Sequence, residues 1–371
     1  MSDQEPVVVA GAVIALRLYD IAYAIDLAKA EQVWANRPRP ASSRLRLTST
    51  PAKAVTFGEP PLEVPLAPVV LELQSGPVPA TVLARLYDFG VVTIALTVPA
   101  RQVRFSAFST LVNAVDRALS AEEAPWTNLL DQVQTVFAEA LDRETKTELQ
   151  EDYLLGMVET FDIPLTAETL QARVDLVPLL SGETRPLAPG ARNELLSRRF
   201  SYYTDDLVVL TWDRAFIYEP RGDSDVLDAL EVANAQLLEM RYYDELLDDE
   251  LPRMYDLVEG MQRARSLFAS RRFATLARRL YGLVAEVTEL TERVDNALQV
   301  TEDVYLARIY GAALELFRVP TVSAAVDRKL SIVRDTYAAL YEEASSGRAA
   351  LMEAAILALI CLEVALAAWR H

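Results

Sequence analysis

The stretch from Leu351 to Trp369, LMEAAILALICLEVALAAW, constrains this chain more than any other. As a helix rising about 1.5 Å per residue it would span roughly 28 Å, close to the hydrocarbon thickness of a bilayer. Placed at the C-terminal end of the sequence, it reads as a tail anchor. Glu363 and Glu353 complicate that reading. Its aliphatic residues contribute roughly −4 kcal/mol of insertion energy while a central acid costs up to about +3, so a lone helix is near break-even and calls for a partner. Ala350, Ala354 and Ala358 give the small-xxx-small spacing that lets two membrane helices approach closely, and Glu363 falls near the same seam. Trp369 and Arg370 fit the interfacial aromatic and snorkelling cation expected where such a helix leaves the hydrocarbon. The competing reading is a buried helix of a soluble bundle.

At 371 residues the chain is long enough for two or three domains. Its net charge of −18 disfavours non-specific binding to nucleic acid or anionic lipid heads. The local exception is the run holding Arg271, Arg272, Arg278 and Arg279, read as a solvated face or, secondarily, as an anion or ribosomal-RNA contact. One cysteine, Cys361, rules out an intrachain disulfide and a cysteine-based metal site. One histidine, His371, leaves no Ser-His-Asp, Cys-His or HExxH arrangement. The first twenty residues lack a basic leader and carry Arg17 inside an apolar run, so neither a signal nor a transit peptide is expected, and the body is expected in the cytoplasm.

Along the chain, Val7–Asp20 has strand composition and 21–34 turns to helical spacing. The proline-broken stretch 38–79 is expected to supply only edge or loop pieces. Residues 83–98 read as one buried strand bent at Gly90, 105–143 as helix interrupted by Pro125, 153–161 as strand, 166–180 as helix capped by Thr166, and 201–218 as strand. The likeness of LYDFGVVTIAL to YYTDDLVVLTW suggests two pseudo-repeated β-α-β halves. Beyond Pro220–Asp223, apolar residues alternate by four and three along three seams, which include Leu230 and Leu237, interrupted by Asp244, then Leu283, Val287 and Leu290, then Leu330 and Val333. The expected fold class is therefore α+β: a mixed α/β domain (1–220), a long-helix bundle or coiled coil (221–348), and a C-terminal hydrophobic helix (349–371).

Three stretches carry a family resemblance: LYDFGVVTIAL with its Gly90, the run LLEMRYYDELLDDEL, and Met352–Glu353 followed by LICLEV, in which Glu353 and Glu363 fall at matching positions. With Asp327–Arg328–Lys329–Leu330 before the last turn of a helix, they make the chain resemble the required-for-meiotic-nuclear-division family. That resemblance implies a domain of poorly defined biochemistry, commonly membrane-associated and oligomeric, whose mitochondrial members support organellar translation. It implies no accepted catalytic residue.

For an enzyme, the best acidic set is Asp205, Asp206 and Asp213, which could serve acid/base chemistry or hold Mg²⁺. No glycine-rich phosphate loop or GxSxG accompanies it, and the pair Asp205–Asp206 also reads as an ordinary strand-entry turn. The sequence thus points to a non-enzymatic, self-associating, membrane-anchored scaffold with no cofactor and no metal. A metal-dependent hydrolase or nucleotide-binding enzyme is the alternative, and a ribosome or RNA tether the third reading. The expected partners are a second copy of the chain and the membrane.

Overall fold

Fourteen residues rich in valine and other aliphatics, Val7–Asp20, form strand β1 at the centre of the molecule's main sheet, antiparallel to both of its neighbours. The computed structural model of the chain describes residues 5–37, 43–44, 55–57, 60–145, 149–222, 225–263, 298–300 and 304–339, with single helical residues or pairs at 275, 278, 281–282, 284–285, 287–288 and 342. By contact density it divides into two compact units, one from 1–242 with 293–320 and one from 243–292 with 321–371.

In the first unit β1 is followed by β2 (Ala22–Ile25), α1 (Leu27–Ala35), the short β3 (Ser43–Arg44) and β4 (Val55–Phe57), then β5 (Leu62–Leu73), β6 (Gly76–Leu86) and β7 (Val91–Arg104). Helices α2 (Phe105–Ala121) and α3 (Ala124–Phe137) lead to β8 (Leu141–Glu144) and β9 (Gln150–Phe161). Three short helices follow, α4 (Ala167–Arg173), α5 (Val177–Ser181) and α6 (Pro189–Leu195), then β10 (Arg199–Phe200), β11 (Leu207–Leu210) and β12 (Arg214–Tyr218). The nine-stranded sheet has the order β10-β11-β12-β9-β1-β7-β6-β5-β3, and β9 and β12 are its one parallel pair among the described residues. From Val13 onward β1 is buried on both faces, which is why its sequence runs apolar without alternating.

The fold is mixed α and β, with a large sheet, but its details correct the sequence reading. The two halves are not equivalent repeats: β1 and β7 run antiparallel, whereas β9 reaches its parallel neighbour β12 through α4–α6 and the strands β10 and β11. Residues 83–98 are two strands, not one. Gly90 sits at φ +99 in the turn between them, where the Tyr87 amide donates to the Val91 carbonyl at 2.9 Å, and a Cβ there would fall 1.7 Å from the Ala22 carbonyl oxygen. Likewise 201–218 is a hairpin of β11 and β12.

The proline-rich stretch holds two long strands. Pro77 and Pro79 are tolerated because β6 pairs with β7 only from Thr81 onward, so its first half needs one hydrogen-bonded side. Pro68 lies in a register break of β5 between Leu66 and Val69. The expected helix 166–180 is split. Thr166 does cap α4, with its hydroxyl and that of Thr169 exchanging bonds with each other's backbone amides, but Pro178 restarts the chain as α5.

Helix α7 (Asp225–Arg263) opens in the first unit, up to Tyr242. Leu230 and Leu237 are buried as the seam requires, yet Val232, Ala235 and Leu238 on other sides are buried too, so this half behaves as a core helix of that unit. The sequence placed a division at 220/221, whereas the first unit runs on to Tyr242. It also takes in β13 (Leu298–Val300), paired with β4, and α8 (Val304–Leu316), whose Tyr310 hydroxyl donates to Gln236 at 2.7 Å.

In the second unit the remainder of α7 buries Leu247 and Met254, and α9 (Val319–Ala339) buries Val326, Leu330 and Val333 at the expected spacing. The Lys329 ammonium reaches Asp244 at 2.6 Å and Asp248 at 2.7 Å, so the acid that interrupts the seam is an ion-pair partner. Val287 is fully buried. Leu283, Leu290, Arg271, Arg272, Arg279 and the tail residues Ala350, Glu353, Ala354, Ala358, Glu363, Trp369 and Arg370 lie outside the described residues. Among the described residues no single helix is long and apolar enough to cross a membrane.

Candidate functional site

Three arginines are buried in largely apolar strands: Arg17 within β1, Arg85 within β6 and Arg214 as the first residue of β12, each less than a tenth exposed. A buried guanidinium is stable only when paired and hydrogen-bonded, so each must recruit carboxylates from remote parts of the chain. Arg17 and Arg214 together build the candidate site.

Arg17 holds Asp152 of β9 through both Nε and Nη2, the latter at 3.2 Å, and Nη1 donates to Glu123 just before α3. Its guanidinium lies 4.8 Å from the centre of the Trp126 ring. The Trp126 side chain is buried and its indole N–H makes no hydrogen bond among the described residues. Arg214 donates to Asp116 and Asn113 of α2, each at 2.6 Å, and to the Leu179 carbonyl at 3.0 Å. Its guanidinium lies against Gly182, at φ +68, where a Cβ would come within 2.5 Å of Nη2. The Tyr153 hydroxyl lies 3.0 Å from the Thr211 carbonyl and 2.9 Å from that of Arg214, which fixes the turn bearing Trp212 and Asp213.

Arg17 and Arg214, with Asp116, Trp126, Asp152, Tyr153, Trp212 and Asp213, line a cleft of about 320 Å³ that also includes Leu119, Ser120, Gln150 and Glu151. Burial raises the Asp213 carboxyl above its ordinary value, against the pull of Arg214. Glu151 is raised by burial as well, with Arg241 opposing. The Tyr19 phenol, beside Arg17, is pushed up to about 12 by burial. Four carboxylates, Asp116, Glu151, Asp152 and Asp213, face two guanidiniums whose donors are already engaged, and Trp212 is 72 % exposed. Cysteine, histidine and lysine are absent from the described lining. The arrangement offers an acidic rim and an aromatic face to a ligand.

Arg85 anchors a second, sealed cluster. Its Nη1 donates to Asp228 at 2.8 Å and to Glu231 at 2.5 Å, both on α7, and its Nε to Glu63 of β5 at 3.0 Å. The Tyr87 phenol donates to Glu231 at 2.7 Å. With three acids around one guanidinium, burial drives the Asp228 carboxyl up to about 7, Arg85 opposing and Glu231 adding to the rise.

The acids singled out in the sequence do not converge. Asp206 is buried and accepts from the Ser201 hydroxyl and the Tyr202 amide at 2.8 Å and from the Tyr203 amide at 3.2 Å, so it staples its own loop. Asp205 adjoins it, while Asp213 lies beyond the other end of β11, about 13 Å away at roughly 3.3 Å per strand residue. Among the described residues no group of three His, Cys, Asp or Glu side chains is placed to hold a metal ion. Of the arginine run, Arg278 is described, and it is exposed. The sequence reading passed over Arg85 and Arg214, and used Arg17 only as evidence against a leader peptide. For Arg17 and Arg85 the signal was an arginine within an apolar run, which needs a partner once the strand is buried, whereas Arg214, next to Asp213 at a strand start, gave no such signal.

The chain is 26% identical over 193 residues to Uncharacterized protein MJ0711 of Methanocaldococcus jannaschii. The matched region is 52% of this chain and 58% of that protein, so the chain spans less than two thirds of its relative's length. No solved structure matches. A family model described as Uncharacterized protein MJ0711, N-terminal domain, matches residues 10–225, which include Arg17, Arg85 and Arg214 and stop short of Asp228. That match covers more than half of the sequence, and the chain belongs to the family of the Uncharacterized protein MJ0711 N-terminal domain.

Proposed function

We propose that this chain is a non-enzymatic, self-associating scaffold, held at a membrane by the apolar stretch 351–369, with the body on the cytoplasmic side. The observation that carries the reading is the apolar stretch itself, nineteen residues in which Ala354 and Ala358, with Ala350 just before them, are spaced for close approach of a second helix. In the second unit Val326, Leu330 and Val333 bury one stripe of α9 and Lys329 spans Asp244 and Asp248, contacts completed within one chain that leave association to the apolar stretch. The strand arginines add support, because their carboxylates are committed to holding the first unit together. The finer resemblance to the required-for-meiotic-nuclear-division family agrees with a membrane-associated oligomer. The metal-dependent hydrolase reading loses ground because Asp205, Asp206 and Asp213 stand apart.

Liposome flotation of the full chain and of a variant lacking 349–371 tests the anchoring. The full chain should float and the shortened one should stay at the bottom while keeping its circular dichroism. Equal flotation of both, or of neither, would contradict the anchor.

A further inference from the structure

We propose that the cleft formed by α4, α6 and β10 binds a phosphate dianion, either free or as the head of a small phosphomonoester. This is a site separate from the acidic cleft, and the proposal does not rest on the scaffold reading. Gln171, Arg173, Asp175, Arg192, Leu196 and Arg199 are among the residues lining a cavity of about 400 Å³.

Three guanidiniums thus meet one carboxylate, on a chain whose net charge is −18. Asp175 is committed: it takes a two-pronged bond from Arg192, at 3.0 and 3.3 Å, and accepts the Val177 amide at 3.1 Å. Arg199 is held by a neutral group. Its Nη1 donates to the Gln171 side-chain oxygen at 2.6 Å, and the Gln171 amide nitrogen donates in turn to the Ala167 carbonyl at 3.0 Å. The glutamine therefore orients the guanidinium without cancelling its charge. Among the described residues Arg173 makes no ion pair, and Glu168 and Glu194 on the same helices do not line the cavity.

Two positive charges are left over, which match a dianion, and guanidinium forks match the oxygen spacing of phosphate. The cleft is open to solvent, so binding should be weak and strongly reduced by salt, whose screening length is about 10 Å at 0.1 M.

Calorimetry on the full chain at low ionic strength, with inorganic phosphate, phenyl phosphate and citrate as probes, tests the site. Saturable binding of one phosphate is expected, with at least about a tenfold loss of affinity in the double variant Arg173→Gln, Arg199→Gln. Gln171→Glu keeps the shape of the side chain but sets a carboxylate against Arg199, and should weaken phosphate by about fivefold without disturbing the fold. Tighter phenyl phosphate than inorganic phosphate assigns the site to a monoester, and the reverse order to free phosphate. Absence of saturable binding below about 10 mM, equal phosphate affinity in wild type and both variants, or citrate bound more tightly than phosphate would overturn the proposal.

Discussion

The Tyr87 phenol and the Glu231 carboxylate, 144 residues apart in sequence, are joined by a buried 2.7 Å hydrogen bond. With Arg85 bridging Asp228 and Glu231, this bond fastens the first half of α7 to strand β6 and the turn after it. Removing one partner leaves a buried charge behind. Arg85→Met should therefore cost about 3–5 kcal/mol, and Tyr87→Phe about 1–3, read as shifts of the urea midpoint. A midpoint unmoved by Arg85→Met would mean that the cluster contributes nothing to the fold.

The same cluster sets a pH dependence. In the unfolded chain Asp228 ionises near 3.8, but in the folded protein near 7 because burial opposes its charge. Between those values the folded state holds the extra proton, so this group favours folding most fully below pH 3.8 and loses that contribution as pH rises to 7, by up to about 1.4 kcal/mol per pH unit. Asp20, also raised to about 7 by burial, acts in the same direction. Asp228→Asn should flatten the stability-versus-pH curve across this window by up to one proton. An unchanged slope would place the proton elsewhere.

Gly182 packs against the guanidinium of Arg214. Gly182→Ala adds a methyl where the backbone has φ +68 and the guanidinium is 2.5 Å away. We expect a loss of about 2 kcal/mol or more in thermal unfolding, since both the left-handed conformation and the displaced arginine oppose it.

The two tryptophans of the acidic cleft should separate cleanly. Trp126 is buried beneath Arg17, and its change to alanine should cost about 3–5 kcal/mol. Trp212 is 72 % exposed, so Trp212→Ala should leave stability within about 0.5 kcal/mol while lowering the share of the fluorescence that acrylamide quenches. A large destabilisation from Trp212→Ala would show that it packs rather than presents a surface.

Local signals in the sequence were legible where one residue decides the outcome. Thr166 as a cap and Pro125 as a break both follow from backbone chemistry, and both hold in the structure. Strand count was less legible, because a tight turn such as Tyr87–Gly90 hides within an apolar run and reads as a bend. The α7 burial was illegible for a different reason: a four-three spacing marks one face, but says nothing about whether the opposite face is also covered. The arginine-centred sites needed tertiary structure, since Asp152, Asp116 and Asp228 are brought to their partners only by sheet order and helix placement.

The central claim is self-association, and the mass of the full chain in detergent measures it most directly. Sedimentation equilibrium over a range of protein concentrations should give a particle whose protein mass is a multiple of 41.2 kDa, and should give a smaller one when 349–371 is removed. A protein mass of 41.2 kDa at every concentration would contradict the scaffold account.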